Sequence, residues 1–220
     1  IISIRIHDNP FSNGTSETLY YYFMKNGGSN DLHDSIRRIL YGDFNVWKGK
    51  IRRKLKEFIR NILEGLKYLH DNKIGHFDIK PENIMISDVD NGHRFKLIDF
   101  GFADKYPFTR YLNNPQGTLE YFPRYCSMAK YDSYLPKLYP NDWHNHTHIA
   151  TEKGEYDLVY KTDIYSFGRV LHSLFCVILE RKAVTGLPFK FIDKMIEVDV
   201  YKRYTTQQCL DDDYFSEVET

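Results

Sequence analysis

The chain of 220 residues is 42% apolar and 27% charged, which is enough to bury one sizeable core beneath an ordinary soluble surface. Thirty basic side chains balance thirty acidic ones, so no global field argues for nucleic acid or a charged membrane surface as a partner. Cys126, Cys176 and Cys209 form an odd, scattered trio, which argues against a disulfide framework and fits reduced thiols in a cytoplasmic compartment.

Ile1 to His7 alternates apolar and polar residues and Thr18 to Met24 is rich in tyrosine, so both predict strands. The Asn-Gly-containing segment between them predicts a hairpin connection. Met24-Lys25-Asn26-Gly27-Gly28 alone reads as a glycine turn between a strand and a helix. From Lys50 to His70 apolar residues recur at 51, 55, 58, 59, 62, 66 and 69, the period of a one-faced helix. The run His76-Phe77-Asp78-Ile79-Lys80-Pro81-Glu82-Asn83 follows, and then Asp99-Phe100-Gly101. Beside them, Ile84-Met85-Ile86 and Phe95-Lys96-Leu97-Ile98 predict short buried strands.

Residues 125–161 form a long polar link carrying His144, His146 and His148, with Asp142 and Cys126 in the same segment. Alternate histidines on an extended chain share a face and could bind Zn²⁺, but no second ligand pair at metal-like spacing accompanies them, and a solvated loop is the expectation. Thr162 to Ile178 predicts a helix that is apolar on most sides, hence buried in a large core. Within it, Leu171 to Leu179 is too short to span a bilayer.

The loop at 76–83, with Asp99-Phe100-Gly101 at its distance, resembles the catalytic and metal-binding loops of a Ser/Thr-type protein kinase. The resemblance implies an α+β, protein-kinase-like fold. Residues 1–26 would be a two-strand remnant of the small lobe plus hinge, and residues 27–220 a mainly helical large lobe. It also implies ATP and Mg²⁺ as cofactors and a protein substrate. Phosphoryl transfer needs a carboxylate to orient the attacking hydroxyl, cations to spread charge, and ligands to hold those cations. Asp78 is the implied base, Lys80 the implied contact to the γ-phosphate, and Asn83 and Asp99 the implied Mg²⁺ ligands. Tyr22, Phe23, Met24, Lys25, Met85 and Gly101 are implied to line the nucleotide site. Asp163 matches the helix residue that holds the catalytic-loop backbone, and taken alone it would serve as an acid at a helix N-terminus. Phe191 to Phe215 resembles the closing helices of the lobe, with Arg203 at the position of the buried structural arginine.

The departures are as informative. The chain begins at what resembles the fourth strand, so the glycine-rich loop and strand lysine are expected upstream. Phe77 stands where an arginine usually precedes the catalytic aspartate, and that arginine commonly pairs with a phosphate on the activation loop. Packing by Phe102, Tyr106, Phe108 and Tyr111 is the expected substitute. The segment Gly117-Thr118-Leu119-Glu120-Tyr121-Phe122-Pro123-Arg124 lacks the glutamate that pairs with the arginine matched by Arg203, so another acid is expected to substitute. The leading reading is a protein kinase; a binding-only relative with the same fold, and a small-molecule phosphotransferase, are the alternatives.

Overall fold

The structure, a computed structural model, describes residues 2–6, 19–23, 30–41, 51–89, 92–108, 110–111, 117–118, 120–121, 123, 157–180 and 188–216. The expected turn at 24–28 and residues 125–156 of the histidine-bearing link, with Asp142 and Cys126, lie outside these residues, while 157–161 are helical.

Alternation at the N-terminus gives β1 (Ile2–Ile6) and β2 (Leu19–Phe23), paired antiparallel with Ile2 opposite Phe23 and Ile6 opposite Leu19. Asn30–Asp31 is a short strand, β3, running directly into helix α1 (Leu32–Tyr41). The Asp31 carboxylate accepts from the Asp34 N–H at 2.7 Å, satisfying one of the donors left open at that helix start. Helix α2 (Ile51–Asp71) follows the expected periodicity: Leu55, Phe58, Ile59, Ile62 and Leu66 are buried, as is Leu63, which the expected stripe omitted.

β4 (Ile74–Gly75) pairs with β7 (Asp104–Lys105). Between them, β5 (Ile84–Val89) and β6 (Gly92–Leu97) form a hairpin, with β3 on the outer edge of β5. These two strands extend past the expected apolar runs into Ser87-Asp88-Val89 and Gly92-His93-Arg94. Cross-strand pairing carries the hairpin beyond its apolar part, and Ile98 falls just outside it.

The second long helix, α3, spans Asp157–Glu180 and starts five residues before the expected Thr162. Asp163 is therefore inside the helix, and its role cannot be that of an acid at the helix terminus. The stretch Leu158–Leu179 is long and apolar enough to cross a membrane by length and composition, longer than the Leu171–Leu179 run judged from sequence. In the fold, 61% of its most apolar window is buried, and Ile164, Phe167, Val170, Leu171, Phe175 and Ile178 pack into the core as expected of a core helix.

Helices α4 (Phe189–Met195) and α5 (Thr206–Leu210), with a 3₁₀ turn at Asp213–Phe215, close the fold. α4 packs so closely on α3 that a Cβ at Gly168 would lie 2.7 Å from Ile196 Cγ2 and 2.9 Å from Met195 Cβ, which accounts for glycine in mid-helix despite its propensity cost of about 1 kcal/mol. α5 opens with a reciprocal capping box: the Gln208 N–H donates to Thr205 Oγ1 at 3.2 Å, and Gln208 Oε1 accepts from the Thr205 N–H at 2.9 Å. Phe58 joins the layers, its ring 4.8 Å from Phe95 on β6 and 5.8 Å from Phe167 on α3. The result is an α+β fold whose two longest helices both pack against β4, the strand that leads into the 76–83 loop.

Candidate active site

Asp163, fully buried on α3, fixes that loop from below. Its Oδ2 accepts the His76 N–H at 2.9 Å and its Oδ1 the Phe77 N–H at 2.7 Å. Oδ2 also pairs with His70 Nε2 at 2.9 Å, near the end of α2. Burial alone would raise this carboxyl. The hydrogen bonds from His70 and from the His76 N–H outweigh it and hold Asp163 below the ordinary carboxylate range. The loop backbone thus hangs on one anion that water does not reach.

His76 is buried too, and its bonds define its tautomer. The Ile98 carbonyl can only accept, so Nε2, 3.0 Å away, must carry the hydrogen, and Nδ1 is free to accept the Asp78 N–H at 3.4 Å. One ring therefore ties the loop to the residue preceding Asp99. The Ile98 N–H donates back to the Asn83 carbonyl at 3.0 Å, so the two loops are joined twice.

Four donors converge on the buried Asp78 carboxylate. The Thr118 N–H and Oγ1 reach Oδ1 at 3.1 and 2.8 Å, while Lys80 Nζ and Asn83 Nδ2 reach Oδ2 at 2.9 and 3.0 Å. Lys80 also donates to Thr118 Oγ1 at 3.2 Å, so lysine, threonine and aspartate form a closed polar triangle. The Asn83 amide spends its hydrogens on the Asp78 carbonyl, at 2.9 Å, and carboxylate. Its own oxygen is left as the acceptor. Asp99 is exposed, with φ at 58°, and its Oδ1 accepts the Gly101 N–H at 3.1 Å. An amide oxygen and an exposed carboxylate on two loops pinned together are hard ligands, and they fit Mg²⁺.

Of the other expected site residues, Met85 lies on β5 opposite Lys96. Gly101 shapes the Asp99 loop and accepts from Arg110 Nη2 through its carbonyl at 3.1 Å. Tyr22 and Phe23 are placed by backbone only, opposite Ser3 and Ile2, and Met24 and Lys25 fall outside the described residues.

Sequence reasoning gave no role to His70 or His76, and it expected aromatic packing of the segment without pairing any one ring with Phe77. That side chain is 1% exposed, its ring stacked on Tyr111 with centroids 3.8 Å apart at 11°, and edge-on to Phe108 at 5.8 Å. Phe108 in turn meets Tyr160 of α3 edge-on at 5.1 Å, and Tyr160 stacks on His70 at 4.7 Å. Of the aromatics expected to pack the segment, Phe108 and Tyr111 are buried, whereas Phe102 and Tyr106 remain exposed. The fully buried Arg203 donates to the carbonyls of Glu197 at 2.8 Å and Lys161 at 3.1 Å, with its guanidinium over the Tyr165 ring, so backbone carbonyls take part of the role expected of an acid.

The sequence profile of the protein kinase domain matches residues 14–135, more than half of the chain. The serine/threonine-protein kinase dkf-1 of Caenorhabditis elegans is 27% identical over 173 residues, covering 74% of this chain and 22% of its own length. Death-associated protein kinase 2 of Homo sapiens is 48% identical over 66 residues, 29% of this chain and 18% of that protein. The striated muscle preferentially expressed protein kinase of Danio rerio is 47% identical over 100 residues, 43% of this chain and 3% of that protein. The chain spans less than a quarter of the length of each of these relatives.

Proposed function

The chain belongs to the protein kinase domain family, and from that premise we propose that it carries the large lobe of an ATP- and Mg²⁺-dependent kinase acting on serine and threonine hydroxyls of proteins. The observation that carries this reading is the Asp78 carboxylate, buried and oriented by Thr118, Lys80 and Asn83. A general base needs fixed geometry first, and here both carboxylate oxygens are fixed. Asp78 orients the substrate hydroxyl and accepts its proton. Lys80, beside it and partly exposed, offers a compact positive charge to the transferring phosphoryl group. Asn83 and Asp99 would hold Mg²⁺, which when bound neutralises charge on the phosphate oxygens. Tyr22, Phe23, Met24, Lys25, Met85 and Gly101 are the proposed contacts to the nucleotide, with residues 1–26 contributing to the small lobe and hinge and residues 27–220 forming the large lobe. Serine and threonine are favoured by Lys80-Pro81-Glu82-Asn83 and by the name of the dkf-1 relative. A cytoplasmic setting is proposed from the scattered cysteines, of which Cys176 and Cys209 are free.

The test is transfer from labelled ATP to a protein or peptide mixture by the intact protein, with and without Mg²⁺. Label should appear on serine and threonine only when the metal is present, and Asp99→Asn should weaken metal-dependent nucleotide binding by about tenfold or more. Nucleotide binding without transfer would favour the binding-only reading.

A further inference from the structure

Resting on the kinase reading above, we propose that Phe77 and Tyr111 are a positioning pair: their ring stack locks the segment after Asp99-Phe100-Gly101 onto the catalytic loop without any phosphate. Phe77 has φ at 62°, a left-handed conformation that a side-chain-bearing residue keeps only where its surroundings impose it. The surroundings do impose it. Its N–H is held by Asp163, and its ring is fixed between Tyr111 and Phe108. This turn sends the Phe77 ring into the aromatic cluster while the next side chain, Asp78, enters the polar one.

The contact closes a circuit. A Cβ at Gly75 would overlap the Phe77 ring, so glycine there makes room for phenylalanine two residues on. Gly75 pairs with Asp104 in the β4–β7 ladder, and Asp104 Oδ2 accepts the Tyr111 N–H at 2.9 Å. Tyr111 then stacks back on Phe77. From the same short helical turn, Arg110 donates to the carbonyls of Gly101 at 3.1 Å and Ala103 at 2.7 Å. Order in the stack therefore reaches the loop that carries Asp99. An arginine at 77 would need an anion on the segment to achieve this; two stacked rings need none, and they attract beyond the area they bury.

The experiment is a double-mutant cycle on the intact protein, using Phe77→Leu and Tyr111→Leu, which keep both sites apolar, and Tyr111→Phe, which keeps the ring. Each leucine variant should lower kcat about tenfold with KM for ATP within about twofold of the parent, the double variant should fall no further than either single, and Tyr111→Phe should keep the parent rate. Native-state hydrogen exchange provides a readout independent of catalysis: Tyr111→Leu should speed exchange of the Phe77 amide, and Phe77→Leu that of the Tyr111 amide. Losses that multiply in the double variant, or a Phe77 amide as protected in Tyr111→Leu as in the parent, would overturn the pairing. If the parent transfers no phosphate, the kinase reading fails, and the exchange result alone decides the stack.

Discussion

Residues 77 and 78 are adjacent in sequence and held by opposite physics. Asp78 lies in a network of directed polar contacts from Thr118, Lys80 and Asn83, each between 2.8 and 3.1 Å. Phe77 lies in a column of rings running through Tyr111, Phe108 and Tyr160. His70 belongs to both, since it stacks on Tyr160 and bonds Asp163, which in turn holds the backbone of Phe77. On the proposed reading the polar half would do the chemistry, because only charge and proton acceptance act on a phosphoryl group. The aromatic half, as proposed above, would set where that chemistry is placed, through ring contacts rather than directed polar bonds.

The largest effect expected from breaking the junction between the halves is at Asp163. Asp163→Ala leaves the His76 and Phe77 N–H groups and His70 without their buried acceptor, and a broken buried pair of this kind typically costs about 3–5 kcal/mol. Thermal or urea unfolding would measure it. The lowered pKa of Asp163 gives the pH dependence its sign: the folded value is below the unfolded one of about 3.9, so the stabilisation is full above pH 4 and is lost as pH falls through the folded value. The gap in stability between parent and Asp163→Asn should therefore narrow only below about pH 4. A gap that closes between pH 6 and 8 would mean that the carboxylate is not the titrating partner.

Second comes the aromatic half. Phe77→Arg restores the residue that usually occupies this position in the family, yet it places a guanidinium in a site 1% exposed and walled by Tyr111 and Phe108. A loss of about 1–3 kcal/mol, or several degrees in Tm, is expected along with reduced activity. Higher activity in this variant would show that the segment is limited by a missing charge. The smallest effect sharpens the same contrast: Tyr111→Phe and phosphatase treatment should each leave the rate within about twofold. A fall of about a hundredfold, roughly 2.7 kcal/mol in the barrier, would assign the loop's order to phosphorylation.

These halves were unequally legible in the sequence. Asp78, Lys80, Asn83 and Asp99 stood out because their spacing is dictated by one short loop and the pairing of β5 with β6, and Asp163 was placed correctly on the loop backbone. Its position inside α3 was misread because Asp157 to Lys161 mixes charged and apolar residues without a clear period. The Phe77–Tyr111 stack joins residues with no shared period, through strands of only two residues each, and no local pattern announces such a contact. Glycine at 75 was the available clue, since its reason appears only once the ring above it is known.

The central claim, that this buried carboxylate is the base for phosphoryl transfer, is tested most directly by comparing kcat with nucleotide affinity for Asp78→Asn in the intact protein. The amide keeps the size of the side chain but cannot take the proton, so kcat should fall by about 10²–10⁴-fold while affinity for ATP and Mg²⁺ stays within about twofold. Transfer at the parent rate by Asp78→Asn would contradict the account.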